Sequence, residues 1–246
     1  MKNHLIFVGQ SVVVGLAAAF IYLWASGGIK TGNQNEQTQP AGHSYAKAVQ
    51  TIAPAVVGIY VQSQTKIPNT SIGISPRAPY VTQNFVGSGV IVSSDGHIVT
   101  NHHVTDGASR IYVTLWNNEL LEGKIVGSDK ETDLAVIKVQ ANDLTTAHFA
   151  DSEFSNTGDV VLAIGNPYGL NQSVSLGIIS ATGRKGLNIS SYENFIQTDA
   201  AINEGNSGGA LVTSLGDVVG ISTASYIQFG AEGINFAIPS NTAKQI

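Results

Sequence analysis

No cysteine occurs in the sequence, which excludes disulfides, thiolate metal sites and a cysteine nucleophile. The compartment stays open, because an exported protein can dispense with thiols. Charge is scarce: Lys, Arg, Asp and Glu make up 12% of the residues, and the net charge is −5. A chain so weakly and negatively charged argues against nucleic acid as a partner. Long amphipathic helical runs are scarce as well. Short Val/Ile-rich runs bounded by Gly, Asn and Asp take their place among 27 glycines, the pattern of an all-β protein. One absence bears directly on chemistry: no histidine follows His148.

What is present begins with an apolar stretch. Residues 5–25 carry no charge, and at about 1.5 Å per residue they just span a hydrocarbon core of about 30 Å. A cleavable signal peptide has a shorter apolar region, roughly 7–15 residues. Tyr22 and Trp24 stand near the far end, where interfacial aromatics belong. The stretch reads as an uncleaved membrane helix, with residues 1–4 cytoplasmic and the body translocated. Residues 26–44 are rich in Gly, Gln and Asn without periodicity and read as a flexible tether, with His43 solvated in it. The globular part then runs from Tyr45 to Ile246.

Within it, residues 45–52 fit a short helix ended by Ala53-Pro54. Strands are expected over 56–61, 87–92, 97–100, 111–115, 121–126 and 134–139, with a long surface loop over 64–83. The turn Ser94-Asp95-Gly96 is a strong hairpin signal, and His97 beside it reads as an exposed strand residue. Residues 142–156 read as a connection to a second set of strands over 160–164, 173–182, 195–199, 218–222 and 234–238. Short strands in two halves without internal helices predict two small barrels, about 53–140 and 155–240.

The stretch Asn203-Glu204-Gly205-Asn206-Ser207-Gly208-Gly209 sets one serine among glycines. A serine hydroxyl attacks an acyl group only when a base takes its proton and nearby donors receive the oxyanion. Glycines bring backbone N–H groups close to such a carbonyl, but the same pattern also fits a tight turn between strands. Two adjacent histidines, His102 and His103, invite a metal reading. Successive strand side chains point to opposite faces, and no second cluster of His, Asp and Glu follows at ligand spacing. Neither a metal nor another cofactor is expected. Asp133, at the start of an apolar strand, fits either a loop cap or an orienting carboxylate.

Chain order separates the serine chemistries. An α/β-hydrolase needs its histidine after the serine, and none follows Ser207. The subtilisin order needs alternating strands and helices, which are missing. Histidine, then Asp133, then Ser207 matches the two-barrel chymotrypsin order. Thr100-Asn101-His102-His103-Val104 reads as T-N-x-H-V, Thr132-Asp133-Leu134-Ala135-Val136 as T-D-L-A-V, and residues 205–211 as G-N-S-G-G-A-L. Matching runs recur at 87–91, 163–168, 177–184 and 232–239. Together these resemble the HtrA (high-temperature-requirement) serine proteases over about residues 45–246.

That resemblance implies a trypsin-like double six-stranded β-barrel in which His103 is the general base, Asp133 its orienting carboxylate and Ser207 the nucleophile. It places the oxyanion hole in the turn Gly205, Asn206 and Ser207, with the N–H groups of Gly205 and Ser207 as donors. Ile221, Ser222 and Thr223 would pair with a substrate strand. The loops 165–170, 183–191 and 226–233 correspond to activation loops, with Tyr168 and Arg184 relaying the signal. Asn206 stands where digestive proteases of this fold carry an aspartate that a freed N-terminal ammonium neutralises. A neutral amide cannot make that ion pair, so activation is expected from loop ordering. The resemblance further implies a homotrimer with Tyr45 near the contact, in the periplasm of a bacterial envelope, anchored in the inner membrane. Substrates would carry small apolar residues before the scissile bond, either a membrane anti-sigma factor or unfolded envelope proteins. Family members carry a PDZ peptide-binding domain after the protease; residues 241–246 read as the start of a helix, with no PDZ domain in the sequence given.

Overall fold

The computed structural model describes Tyr22, Trp24 and residues 44–66, 80–166, 172–187, 189–203, 205–225 and 233–245. The chain divides into two compact units, Met1–His43 and Ser44–Ile246. Of the first, only Tyr22 and Trp24 are described, both helical and exposed, so the expected membrane helix and tether lie outside the described residues. Among those described, no helix is long and apolar enough to cross a membrane.

The second unit opens with helix α1 (Ala46–Ile52) and a 3₁₀ turn, Ala53–Ala55, that carries Pro54 at its start. Among the described residues twelve strands follow, and they close into two antiparallel six-stranded barrels. The first holds β1 (Val56–Lys66), β2 (Tyr80–Ile91), β3 (His97–Asn101), β4 (Ala108–Thr114), β5 (Leu120–Asp129) and β6 (Leu134–Val139). The second holds β7 (Val160–Gly165), β8 (Ser173–Arg184), β9 (Phe195–Thr198), β10 (Ala210–Thr213), β11 (Val218–Ser225) and β12 (Asn235–Pro239). The expected double barrel is therefore the observed fold. One boundary differs. The loop expected over 64–83 is strand at both ends, because β1 and β2 stay in register from Val56↔Val90 out to Lys66↔Tyr80. Thr65, Val81 and Thr82 are β-branched and favour the extended backbone that this pairing needs.

The interiors follow from short alternating runs, since β-branched residues pack well on pleated surfaces. Val57, Ile59, Val61, Ile98, Ile137 and Val139 fill the first barrel, and one apolar cluster continues from them to Leu162, Ile164, Phe195, Phe236 and Ile238 of the second. Phe195 and Phe236 meet with ring centroids 6.0 Å apart. Each such fully buried side chain contributes about 1.5–3 kcal/mol. The two barrels thus share a core, and the seam between them is fixed. A helical turn, α2 (His102–Thr105), follows β3, and helix α3 (Ser240–Ala243) follows β12. Ser240 Oγ donates to the Ala150 carbonyl at 2.7 Å, which ties α3 to the inter-barrel connection.

Candidate active site

Strand β3 ends at Asn101, so both adjacent histidines lie in α2 rather than on a strand. The expected separation of their rings holds for a different reason: each has its own partner. His102 Nδ1 lies 2.7 Å from Ser128 Oγ, whereas His103 Nδ1 lies 2.8 Å from Asp133 Oδ2 and 3.1 Å from Oδ1. An ionised carboxylate only accepts, so the His103 ring carries its proton on Nδ1 and leaves Nε2 free to accept one.

Asp133 is held at φ +59°, a left-handed conformation that Asp tolerates better than most residues. Its backbone carbonyl accepts from His102 N–H and from Asn101 Nδ2, both at 3.1 Å. That bracing points the carboxylate inward, where Oδ1 also accepts from the His103 N–H at 3.0 Å. Oδ2 accepts from the Thr223 hydroxyl at 2.7 Å. Asp133 is thus both loop cap and orienting carboxylate, and it is buried, whereas the His103 side chain is 49% exposed.

Ser207 arrives from the second barrel on the turn before β10. Gly208 takes φ +83°, and a Cβ there would stand 2.2 Å from both the Ser88 carbonyl oxygen and Thr100 Oγ1. Only glycine fits. The Ser207 hydroxyl donates to the Thr223 carbonyl at 3.1 Å. Thr223 therefore links the group: its hydroxyl holds Asp133 and its carbonyl holds Ser207. Sequence reasoning had given this residue a substrate-pairing role alone. Thr223→Val removes a buried bond to a charged group and is expected to cost about 1.5–3 kcal/mol of stability. Urea unfolding measures it; an unchanged midpoint at equal slope counts against that bond.

Two assignments change. Asn206 cannot serve as an oxyanion donor through its N–H, which is bonded to the Asn203 carbonyl at 3.0 Å. Its side-chain Oδ1 instead accepts from the Ser173 hydroxyl at 3.0 Å, so a neutral partner stands where an ammonium was ruled out. Ile221 and Ser222 do not offer a free strand edge. Ile221 pairs with both Ala210 and Ile238, and Ser222 exchanges bonds with Gly208 and Gly209 while pairing with Ala237 on its other side. The edge left for an added strand begins at Thr223, where β10 no longer accompanies β11.

Of the two residues expected to relay activation, Tyr168 lies outside the described residues. Arg184 Nε donates to Gln197 Oε1 at 2.8 Å. The loop after Arg184 closes on Glu193, whose two carboxylate oxygens accept from Leu187 N–H and Ile189 N–H, each at 2.8 Å. Burial opposes its ionisation, but those bonds, with Gly186 and Ser190 N–H, outweigh it and lower its pKa.

Comparison with known proteins identifies the family of this fold. The family described as trypsin-like peptidase domain matches residues 87–221. The serine endoprotease DegS of Haemophilus influenzae is 46% identical over 241 residues, covering 96% of this chain and 68% of the relative. The periplasmic serine endoprotease DegP of Salmonella typhimurium is 51% identical over 164 residues, covering 65% of this chain and 34% of the relative. A variant of the HtrA-type protease AlgW solved with a decapeptide superposes with a TM-score of 0.75 at 44% identity, covering 82% of this chain and 65% of that one. The chain thus spans about two thirds of the length of the DegS and AlgW proteins.

Proposed function

Because the chain belongs to the trypsin-like serine peptidases of the HtrA type, we propose that it is an envelope serine endopeptidase acting through Ser207, His103 and Asp133. One observation carries the reading: residues from both barrels meet at the seam, Asp133 on His103 and Thr223, and Thr223 on Ser207. Ser207 Oγ attacks the scissile carbonyl while His103 Nε2 takes its proton, and His103 then returns that proton to the leaving amine. Water repeats the sequence on the acyl-enzyme. The N–H groups of Gly205 and Ser207 receive the oxyanion, each typically worth about 2.7–4 kcal/mol in the transition state. The substrate adds as a strand beside Thr223 and the residues after it.

The hydroxyl of Ser207 rests on a carbonyl, so it must rotate toward His103 before it can react. That supports activation by loop ordering, relayed through Tyr168 and Arg184. Residues 5–25 anchor the protein in the inner membrane, residues 26–44 tether it, residues 45–246 form the periplasmic domain, and Tyr45 lies near a trimer contact. The regulatory reading, cleavage of the periplasmic part of a membrane anti-sigma factor, is supported by similarity to DegS along 96% of this chain. The match to DegP favours a second reading, degradation of unfolded envelope proteins. A panel pairing unfolded casein with a folded anti-sigma periplasmic domain separates them. Single-site cleavage of the folded domain with casein left intact is expected, and casein cut to small fragments overturns the regulatory reading.

A further inference from the structure

Resting on that peptidase reading, we propose that Ser88, a buried serine of the first barrel, is a positioning residue that sets the backbone of the nucleophile turn. Ser88 lies on β2 and is fully buried. Its hydroxyl donates to the Gly205 carbonyl at 2.6 Å and accepts from the Asn166 N–H at 2.8 Å. Its own N–H donates to the Ser207 carbonyl at 2.8 Å. Its carbonyl accepts from Thr100 Oγ1 at 2.7 Å, three residues before His103. One residue thus touches the turn that carries the nucleophile, the exit of β7 and the strand that delivers the base.

The consequence follows from peptide planarity. The Ser207 N–H belongs to the peptide between Asn206 and Ser207, whose carbonyl accepts from the Gly209 N–H at 2.9 Å, and its direction depends also on the planes on either side. The plane before it contains the Gly205 carbonyl, pinned by Ser88 Oγ, and the Asn206 N–H, pinned by Asn203. The plane after it contains the Ser207 carbonyl, pinned by Ser88 N–H, and the Gly208 N–H, pinned by Ser222. Ser88 therefore fixes both flanking planes from outside the second barrel, and the close fit at Gly208 leaves no slack. An oxyanion donor acts through a direction fixed in advance, so loosening one plane reaches catalysis before it reaches binding. The Asn166 bond adds a link: the hydroxyl's orientation follows the backbone that leads into residues 167–171.

Ser88→Ala keeps the backbone bonds and strands the Gly205 carbonyl and the Asn166 N–H. We expect kcat to fall about 10- to 100-fold with KM within about twofold, and phosphonylation of Ser207 by a fluorophosphonate to slow by a similar factor. Ser240→Ala is the control, since it removes an equally buried serine bond far from the turn. It should lower Tm comparably and leave kcat unchanged. Ser88→Cys, a weaker donor of similar size, should fall between Ser88→Ala and wild type; if the alanine variant does not fold, this variant decides. Wild-type kcat in the folded serine variants, or a loss seen in KM alone, overturns the role of Ser88 while the peptidase reading stands. A wild-type protein that neither cleaves peptide nor reacts at Ser207 overturns that reading, and the role of Ser88 with it.

Discussion

Ser207→Ala is expected to lower kcat for peptide cleavage by about 10⁵- to 10⁶-fold while leaving the fold intact. The structure supplies both halves of that expectation. Chemically, the proposed mechanism runs through the Ser207 hydroxyl, and alanine offers nothing for His103 to deprotonate. Structurally, among the described residues the hydroxyl bonds the Thr223 carbonyl, and its loss leaves the Thr223–Asp133 bond and the Ser88 clasp in place. The backbone at this position, bonded to Ser88 N–H, is untouched. Turnover of a β-strand peptide read beside the urea midpoint checks it. Residual activity above about one part in a thousand with an unchanged midpoint would assign the chemistry to another group.

The double barrel was legible because its signal is repeated: alternation in Val57, Ile59 and Val61 and turns such as Ser94-Asp95-Gly96 recur along the chain. Ser207 was legible by chain order, since no histidine follows it. His103 was not separable from His102 by residue type or spacing. What separates them is the end of β5 and the turn 130–133 after it, which send Ser128 to one ring and the Asp133 carboxylate to the other. No local pattern states which face of a helical turn a later loop will reach. Ser88 was missed, and Thr223 was given a substrate-pairing role alone, for the same reason. Their roles depend on contacts across the seam, between residues 117 and 90 positions apart in the chain. A serine between two glycines on a strand carries no sign that its hydroxyl will hold the other barrel. The motif Gly87-Ser88-Gly89 was visible, but only as a matching run.

The second large effect is expected for Asp133→Asn, about 10⁴-fold in kcat, and the argument runs through a proton. Asp133 accepts four contacts from His103 and Thr223: the His103 N–H, the His103 ring Nδ1 to each oxygen, and the Thr223 hydroxyl. Every one requires an acceptor. An amide can keep its oxygen on the His103 N–H, the site of Oδ1, but then presents its NH₂ where Oδ2 received the ring and the Thr223 hydroxyl. An NH₂ facing Nδ1 makes that nitrogen an acceptor and moves the imidazole proton to Nε2. A ring protonated there cannot take the proton of Ser207. The backbone of Thr223, where a substrate strand is proposed to add, is untouched, so KM should change little. The effect then separates from simple destabilisation, because unfolding lowers the active fraction and kcat alike, whereas a tautomer change lowers kcat in every folded molecule. Fluorophosphonate labelling reads the same proton transfer without peptide turnover, and it should slow in step with kcat. Labelling at the wild-type rate, with kcat nonetheless lost, would move Asp133 from orienting the base to a later step such as leaving-group departure.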